Sequence, residues 1–406
     1  MSSTNPAPDV SPKPNPQSSM ASLKTRRRIA VLVQTSSAWS RQVLAGVAEH
    51  AMESGGWDFW IEPRGFYEHI EIPLSWSGEG VICRLTSEDL VGQIQQRRLP
   101  AVNVSWLGEH SPTVPKVVSD EVACGQMAAE FYLKRGWHFF GFVGPPPQLN
   151  YSDKVEKAFA STVGEAGRTV KRFNHEPNSG TITIGQEHPQ MAEWLMALPK
   201  PVALLVWTTA IGQEIALLCR QIGISVPDDV AILAVELDPL VSAMSPVPIA
   251  YIDQSPRRVG AQAAALLERM IQGAPAPVEP VLVPPRGIAE RMSVDNLFVE
   301  DEIVRQAMDF IRERMAEAIQ VTDVASHVAL SRRVLENRFE KALRRSPAQV
   351  IRRTKLTHAM YLLSETDLTV QEIGFQTGFF HQETFLRFFK RESGHTPTEY
   401  RTSASR

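Results

Sequence analysis

Apolar and polar positions divide the chain into two regimes. From Ile29 to about residue 285, short apolar runs alternate with segments of helical periodicity. The runs IAVLVQ (Ile29–Gln34), WDFWIEP, GVICRL, PAVNVS, FFGFVG, ALLVWT and VAILAV read as strands, and unbroken apolarity over such lengths marks burial on both faces, as in parallel sheets. Between them, Arg41–Ser54, Asp120–Arg135, Lys154–Ala166, Gly212–Gln221 and Val259–Ile271 repeat apolar residues at helical spacing. This alternation predicts an α/β region, and the number of strands predicts two lobes. In such sheets a ligand lies beyond the carboxyl ends of the strands, so the loops after those runs are where to look. The stretch GAPAPVEPVLVPP is too rich in proline for a helix interior, and past Asp295 every pattern is helical. The predicted division is a two-lobed ligand-sensing domain over 26–285, a linker over 286–300 and an all-α domain over 301–406. Residues 1–25, rich in Ser, Pro and Asn, are expected to be a disordered tail.

The helical region contains a near-repeat. After a helix over Val304–Ala316, Thr322 is placed to cap a short helix with Val324, Ala325 and Val328 inward, and Asp323 favours its dipole. Ser331 then caps SRRVLENRFEKAL, whose inner stripe reads Val334, Leu335, Arg338 and Phe339. A long helix over Pro347–Ser364 starts on a proline in its first turn. Thr369 caps VQEIGFQTGF, Gly378 marks a turn, and Gln382–Glu392 forms a second longer helix. That helix turns Phe385, Phe388 and Phe389 inward, turns Lys390 and Arg391 outward, and is ended by Gly394 and Pro397. Short helix, tight turn and longer helix, twice over, predicts two helix-turn-helix units on one connector, each offering a helix to a major groove.

The stretch 303–402 resembles the AraC/XylS family of bacterial activators, matching at Leu335, Phe339, Pro347, Ala359, Leu363, Ile373, Gly378, Phe379, Phe385, Arg387, Phe389, Lys390, Gly394, Pro397 and Tyr400. It departs at Arg344, Gly374, Glu383 and Thr384, where glycine, alanine, serine and an aromatic residue are common. The resemblance implies double-stranded DNA as a partner, with Ser331, Arg332, Arg333, His381, Gln382 and Glu383 at or near the groove. Arg338, Arg344, Arg345 and Lys390 take phosphate or structural roles, and Arg387 completes the DNA-binding set. Contact with RNA polymerase and a homodimer are implied in the same way.

Residues 27–296 resemble the two-lobed sugar-binding domain of the lac-repressor and periplasmic-binding-protein type, through RQVLAGVAEH, VSDEVACGQMAAEFYLKRGW, ISVPDDVAILAV, DQSPRRVGAQAAALL and VLVPPRGIAERMSVDN. This implies a small sugar-like effector. Candidate ligand residues on the expected loops are Trp39, Arg41, Asn150, Trp207, Thr209, Glu236 and Gln254. Departures fall among them: Thr209 and Glu236 stand where aspartates are usual, and Val155 stands near the place of an arginine. Two alternatives remain at this point: a sensor domain that only dimerises, and a repressor that acts by occlusion.

Charge changes the picture through its distribution. The whole chain is −3, yet Ser331–Lys355 holds nine basic residues against Glu336 and Glu340, a local +7. Cys83, Cys124 and Cys219 are scattered without zinc or disulfide spacing and are expected to be small buried residues. No phosphate loop, dinucleotide fingerprint, nucleophile elbow or metalloprotease motif is present, so neither an enzyme nor a cofactor is expected. No run spans a bilayer and the first residues carry no apolar leader, which predicts a cytoplasmic protein without membrane contact.

Overall fold

The computed structural model describes residues 26–61, 71–85, 87–106, 113–149, 151–175, 188–295, 301–343 and 345–404. The expected tail over 1–25 lies outside them, as do the candidates Asn150 and Arg344.

Lobe 1 is built on a parallel sheet in the order β2-β1-β3-β4, from β1 (Arg27–Leu32), β2 (Trp57–Ile61), β3 (Gly80–Cys83) and β4 (Ala101–Asn103). A bridge from Asn103 to Lys116 continues it to β5 (Val117–Ser119), which pairs with β11 (Val281–Val283). Both faces are covered, which is why β3 is buried at all four positions. One face packs Ile29, Val31 and Ile82 under α1 (Ala38–Glu53) and α8 (Pro256–Ile271); the other packs Leu32, Val81, Leu90 and Trp76. The two helices cross closely because Gly46 and Gly260 have no side chains. A Cβ on Gly46 would stand 1.9 Å from the Arg257 carbonyl oxygen, and one on Gly260 1.9 Å from that of Val43.

Lobe 2 holds a six-stranded sheet in the order β12-β10-β9-β8-β6-β7. Its strands are β6 (Phe139–Val143), β7 (Val170–Arg172), β8 (Val202–Thr208), β9 (Val230–Glu236), β10 (Ala250–Asp253) and the antiparallel edge β12 (Gly287–Ala289). Phe140, Leu205 and Leu233 pack under α3 (Glu121–Lys134) and α4 (Lys154–Glu165), which contributes Phe159. On the other face, Leu204, Val206 and Ile232 pack under α5 (His188–Ala197) and α6 (Thr209–Gln221), which contributes Ile215. The segment expected as a linker therefore carries β12 and the buried turn Met292–Val294 of lobe 2. All three cysteines are buried, and burial raises the thiols of Cys83 and Cys219 to about 12.

The chain crosses between the lobes three times, and the crossings are tied together. Asp120 N–H donates to the Val283 carbonyl at 2.9 Å, Ser119 Oγ to Gln254 O at 3.1 Å, and Ser255 Oγ to Pro284 O at 3.1 Å.

Two small cores make the helical domain. The first joins α9 (Glu302–Glu313), α10 (Val321–His327) and α11 (Arg332–Leu343) through Val304, Ile311, Val324, Leu335 and Phe339. The second joins α12 (Pro347–Glu365), α13 (Val370–Gln376), α14 (Gln382–Ser393) and α15 (Pro397–Ala404) through Leu363, Ile373, Phe385, Phe389 and the half-buried Tyr400. Thr369 caps α13 in a capping box with Glu372, as its spacing predicts. In the first unit the expectation fails: α10 starts at Val321 with Gln320 as N-cap, because Gln320 N–H donates to Asp323 Oδ2 at 2.7 Å. Val334 also departs, being 42% exposed rather than inward.

His358 on α12 stacks near Tyr361 with its Nδ1 buried and unpartnered, and burial lowers its pKa to about 4. The unfolded chain, at the usual 6.5, then binds the extra proton between pH 6.5 and 4, so stability is lost as pH falls through that window. The expected loss is up to about 3 kcal/mol. Urea titrations at pH 7 and 4.5 should show a drop in midpoint that His358→Gln reduces.

Contacts between the helical domain and the rest land on lobe 2. Arg312 of α9 makes a two-pronged pair with Asp228, through Nη1–Oδ2 and through Nη2–Oδ1 at 3.1 Å, with side chains 13% and 4% exposed. Asp309 accepts from Arg312 and from Ser225 Oγ, both at 3.2 Å, and Arg305 reaches Asp229 at 3.4 Å. Further along, the Arg291 guanidinium lies between the Tyr251 and Tyr361 rings at 5.5 and 5.6 Å and donates to Ser364 Oγ. Arg353 pairs with Asp295 at 3.0 Å.

Candidate effector cleft and nucleic-acid interface

Parallel pairing aligns strand ends, and in both lobes those ends face the seam. Cys83 is in register with Leu32 and Asn103, which puts Gln34, Arg84 and Ser105 together just past the strands of lobe 1. In lobe 2, Thr208 is in register with Glu236, so these two stand side by side at the strand ends, with Trp207 one residue before. Arg84, 4% exposed, stands 5.5 Å from the Trp39 ring and donates to Ser40 Oγ at 3.4 Å. Its charge is felt across the seam by Glu236, whose carboxyl is pushed up to about 7 by burial, with Arg84 opposing the rise. Beside them Tyr151 packs on Trp207, ring centroids 5.5 Å apart, and donates a hydrogen bond to Glu121 Oε1. Glu121 is 1% exposed, its Oε2 has no partner, and burial pushes its pKa to about 7. Gln34 Oε1 is likewise buried without a partner.

Two cavities lie near these strand ends, the larger on the seam and the smaller within lobe 2. One, of about 290 Å³, is lined by Trp39, Gln42, Leu237, Asp253, Gln254 and Arg258; the other, of about 140 Å³, by Tyr151, Ser152, Arg172 and Trp207. Aromatic faces with buried carboxylates and a guanidinium form the donor and acceptor set that a polyhydroxylated ligand needs.

The sequence-derived candidates divide accordingly. Trp39, Trp207 and Glu236 meet in this cluster, and Gln254 lines the larger cavity. Arg41 bonds the Thr35 and Ser36 carbonyls and reaches Asp238 of the other lobe at 3.9 Å. Thr209 is fully buried, and its hydroxyl is taken up by the backbone of Asp238, accepting at 2.8 Å. Arg84, Glu121, Tyr151 and Lys154 are absent from the sequence-derived set. Arg84 lies inside the run GVICRL, where a charge in an otherwise apolar strand candidate is the signal that could have found it.

On the helical domain, Ser331, Arg332 and Arg333 are exposed at the start of α11, and His381, Gln382 and Glu383 at the start of α14. Arg332 is held by Glu336 at 2.8 Å, whereas Arg338 is tied inward to Asp301 at 2.7 Å. Arg345 has Nη1 buried without a partner, and Arg387 and Lys390 are exposed along α14. Phe380, 73% exposed, stands before α14, a feature that its place in an aromatic run concealed. Between the units, Lys355 on α12 donates to Glu317 O at 2.7 Å and Thr377 O at 2.9 Å.

Three family models match in this order: an XylR N-terminal domain at 28–122, a periplasmic binding protein-like domain at 129–294 and a helix-turn-helix domain at 324–403. The xylose operon regulatory protein of Escherichia coli K12 is 30% identical over 93% of this chain and 97% of its own length. The chain belongs to the xylose operon regulatory protein family. The Haemophilus influenzae member is 27% identical over 92% of this chain and 98% of its own. The solved structure of a xylose-binding transcription activator superposes with a TM-score of 0.76 at 28% identity, covering 94% of this chain and 99% of that one. As a member of the xylose operon regulator family with a matched helix-turn-helix domain, the chain is a DNA-binding transcriptional regulator. Among the described residues no helix is long and apolar enough to cross a membrane.

Proposed function

We propose that this regulator is an activator that senses a small sugar-like effector in the cleft between its lobes and passes the signal to DNA through lobe 2. The observation that carries the reading is the Arg312–Asp228 pair with its neighbours, which fastens the helical domain to one lobe. A ligand that closes the lobes then carries the DNA-reading helices with lobe 2, relative to lobe 1 and whatever lobe 1 packs against. The effector sits among Trp39, Arg84, Glu121, Tyr151, Trp207 and Glu236. A relative that is a xylose operon regulatory protein and the solved structure of a xylose-binding transcription activator support the effector class. Homodimerisation, contact with RNA polymerase and a cytoplasmic location complete the reading.

DNA is read by Ser331, Arg332 and Arg333 in one groove face and by His381, Gln382 and Glu383 in the next. Because Arg332 is already held by Glu336, Arg333 is the freer reader. Arg333→Ala should cost about 1–3 kcal/mol of operator affinity, the worth of one bidentate contact to guanine, and should relax the preference at that base pair. Fluorescence anisotropy on a duplex selected from a random pool by the full chain checks this; unchanged affinity removes α11 from the groove. The effector reading is tested by thermal shift of the full chain against a panel of sugars and sugar acids. A ligand of the folded state at a hundredfold excess over its Kd adds about 2.7 kcal/mol.

A further inference from the structure

The two helix-turn-helix units differ by one residue in their turns. Between α10 and α11 the turn holds four residues, Val328 to Ser331; between α13 and α14 it holds five, Thr377 to His381. Both turns contain a left-handed residue, Ala329 at φ +53° and Gly378 at φ +77°, and a half-buried apolar residue follows each, Leu330 or Phe379. In the first unit Ser331 comes next and leads directly into α11. In the second, Phe380 is interposed before His381, the N-cap of α14. The additional residue is a large apolar one, and it is 73% exposed. Packing inside the unit is already supplied by Phe379, whose ring centroid lies 5.6 Å from that of Phe385 and 4.8 Å from that of Phe388, with Lys355 Nζ at 5.2 Å.

The neighbours of Phe380 decide what covers it. His381, Gln382, Glu383 and Thr384 follow it and are all exposed, so one open surface runs from Phe380 into the first turn of α14. A protein seated on Phe380 would also cover His381 and Gln382 and hold α14 away from DNA. A reading helix meets base edges through its N-terminal residues, which brings the turn before it to the same groove. Base edges there present hydrogen-bond donors and acceptors, apart from the thymine 5-methyl group, which is apolar and suits a phenyl ring.

We propose that Phe380 is a specificity-determining residue of the second unit, covering the 5-methyl group of a thymine at the edge of the stretch that α14 reads. The inference rests on the reading of DNA by α14 given above. It adds to that reading an apolar contact, and with it a required thymine, that the polar residues of the helix do not supply. One methyl group withdrawn from water is worth about fourfold in affinity.

The test is fluorescence anisotropy of the full chain on the duplex selected from a random pool, with deoxyuridine replacing each thymine in turn. Deoxyuridine keeps the base pairing and removes only the methyl group. The expected result is a position at which the native chain binds the deoxyuridine duplex about fourfold more weakly. Phe380→Ala should lose at least about fourfold on the thymine duplex yet bind the two duplexes equally, because both changes remove one contact. Phe380→Gln carries the same expectation should the alanine variant fold poorly, and Phe380→Leu should retain part of the difference. Phe375→Ala, which removes an exposed phenylalanine on α13, should retain all of it. A methyl effect that persists without Phe380, a scan with no methyl effect, or an affinity unmoved by Phe380→Ala overturns the proposal. Gln382→Ala separates the two failures. If it weakens binding while the Phe380 variants do not, α14 stays in the groove and the thymine contact alone is withdrawn. If neither residue matters to binding, the reading of DNA by α14 fails together with the inference.

Discussion

Arg312→Ala should leave the chain able to bind DNA while removing the response of that binding to the effector. The side chain crosses from α9 to Asp228, which lies on the loop leading into β9, and the strand it feeds ends at Glu236 in the cleft. One strand thus runs from the clamp to the effector cleft. Removing one partner of a buried pair costs about 3–5 kcal/mol, because the remaining carboxylate stays buried without its counter-charge. That cost falls on the join between the domains rather than on the helix-turn-helix cores, which are built from other residues. Anisotropy titrations with and without effector should give two curves for the native chain and one for the variant. Asp228→Asn, which keeps the shape and lowers the charge, should fall between them. Two separated curves from the alanine variant would show that the signal reaches DNA by another route.

Gly378→Ala should unfold the second helix-turn-helix unit and abolish DNA binding. Gly378 sits at φ +77°, and a Cβ there would lie 2.2 Å from Glu317 O and 2.4 Å from Lys355 Nζ. The left-handed conformation costs about 1–2 kcal/mol for a residue with a side chain. Overlap with backbone that cannot retreat adds about 1–3 kcal/mol. Relief would need Lys355 to leave the Glu317 and Thr377 carbonyls, so the bridge between the two units would go as well. Circular dichroism melting and anisotropy together check the expectation: an alanine variant with native melting and native affinity would show that the turn tolerates a side chain.

Much of this was legible in the chain, for reasons that differ between its parts. The helical domain announces itself because its signals are local: the Thr369–Glu372 capping box, the turn glycines and the phenylalanine stripe on α14 each lie within a few residues. Thr322 misled because Asp323 caps backwards onto Gln320, a reciprocal arrangement that a threonine-first reading overlooks. The buried strands show as apolar runs, even β4 at three residues, whereas β7 and β12, three residues each with no buried position, leave no such run. The cleft was half legible. Trp39, Trp207 and Glu236 follow or end strands, where ligands are expected, but Lys116 and Lys154, far apart in the chain, meet at the Trp106 ring only in the fold. Nor does a sequence show that Thr209 spends its hydroxyl on the Asp238 backbone.

The connector between the helix-turn-helix units has a consequence for the operator. Because α12 is a single helix of 19 residues, pinned at Lys355 to both units, the offset between the two reading helices is a ruler of constant length. Inserting one base pair between the two stretches read by a single chain turns the second by about 34° around the DNA axis. The protein has no joint there with which to follow. Spacing inside one chain's footprint is therefore a fixed grammar, while freedom of spacing, and with it control by the effector, lies outside that footprint.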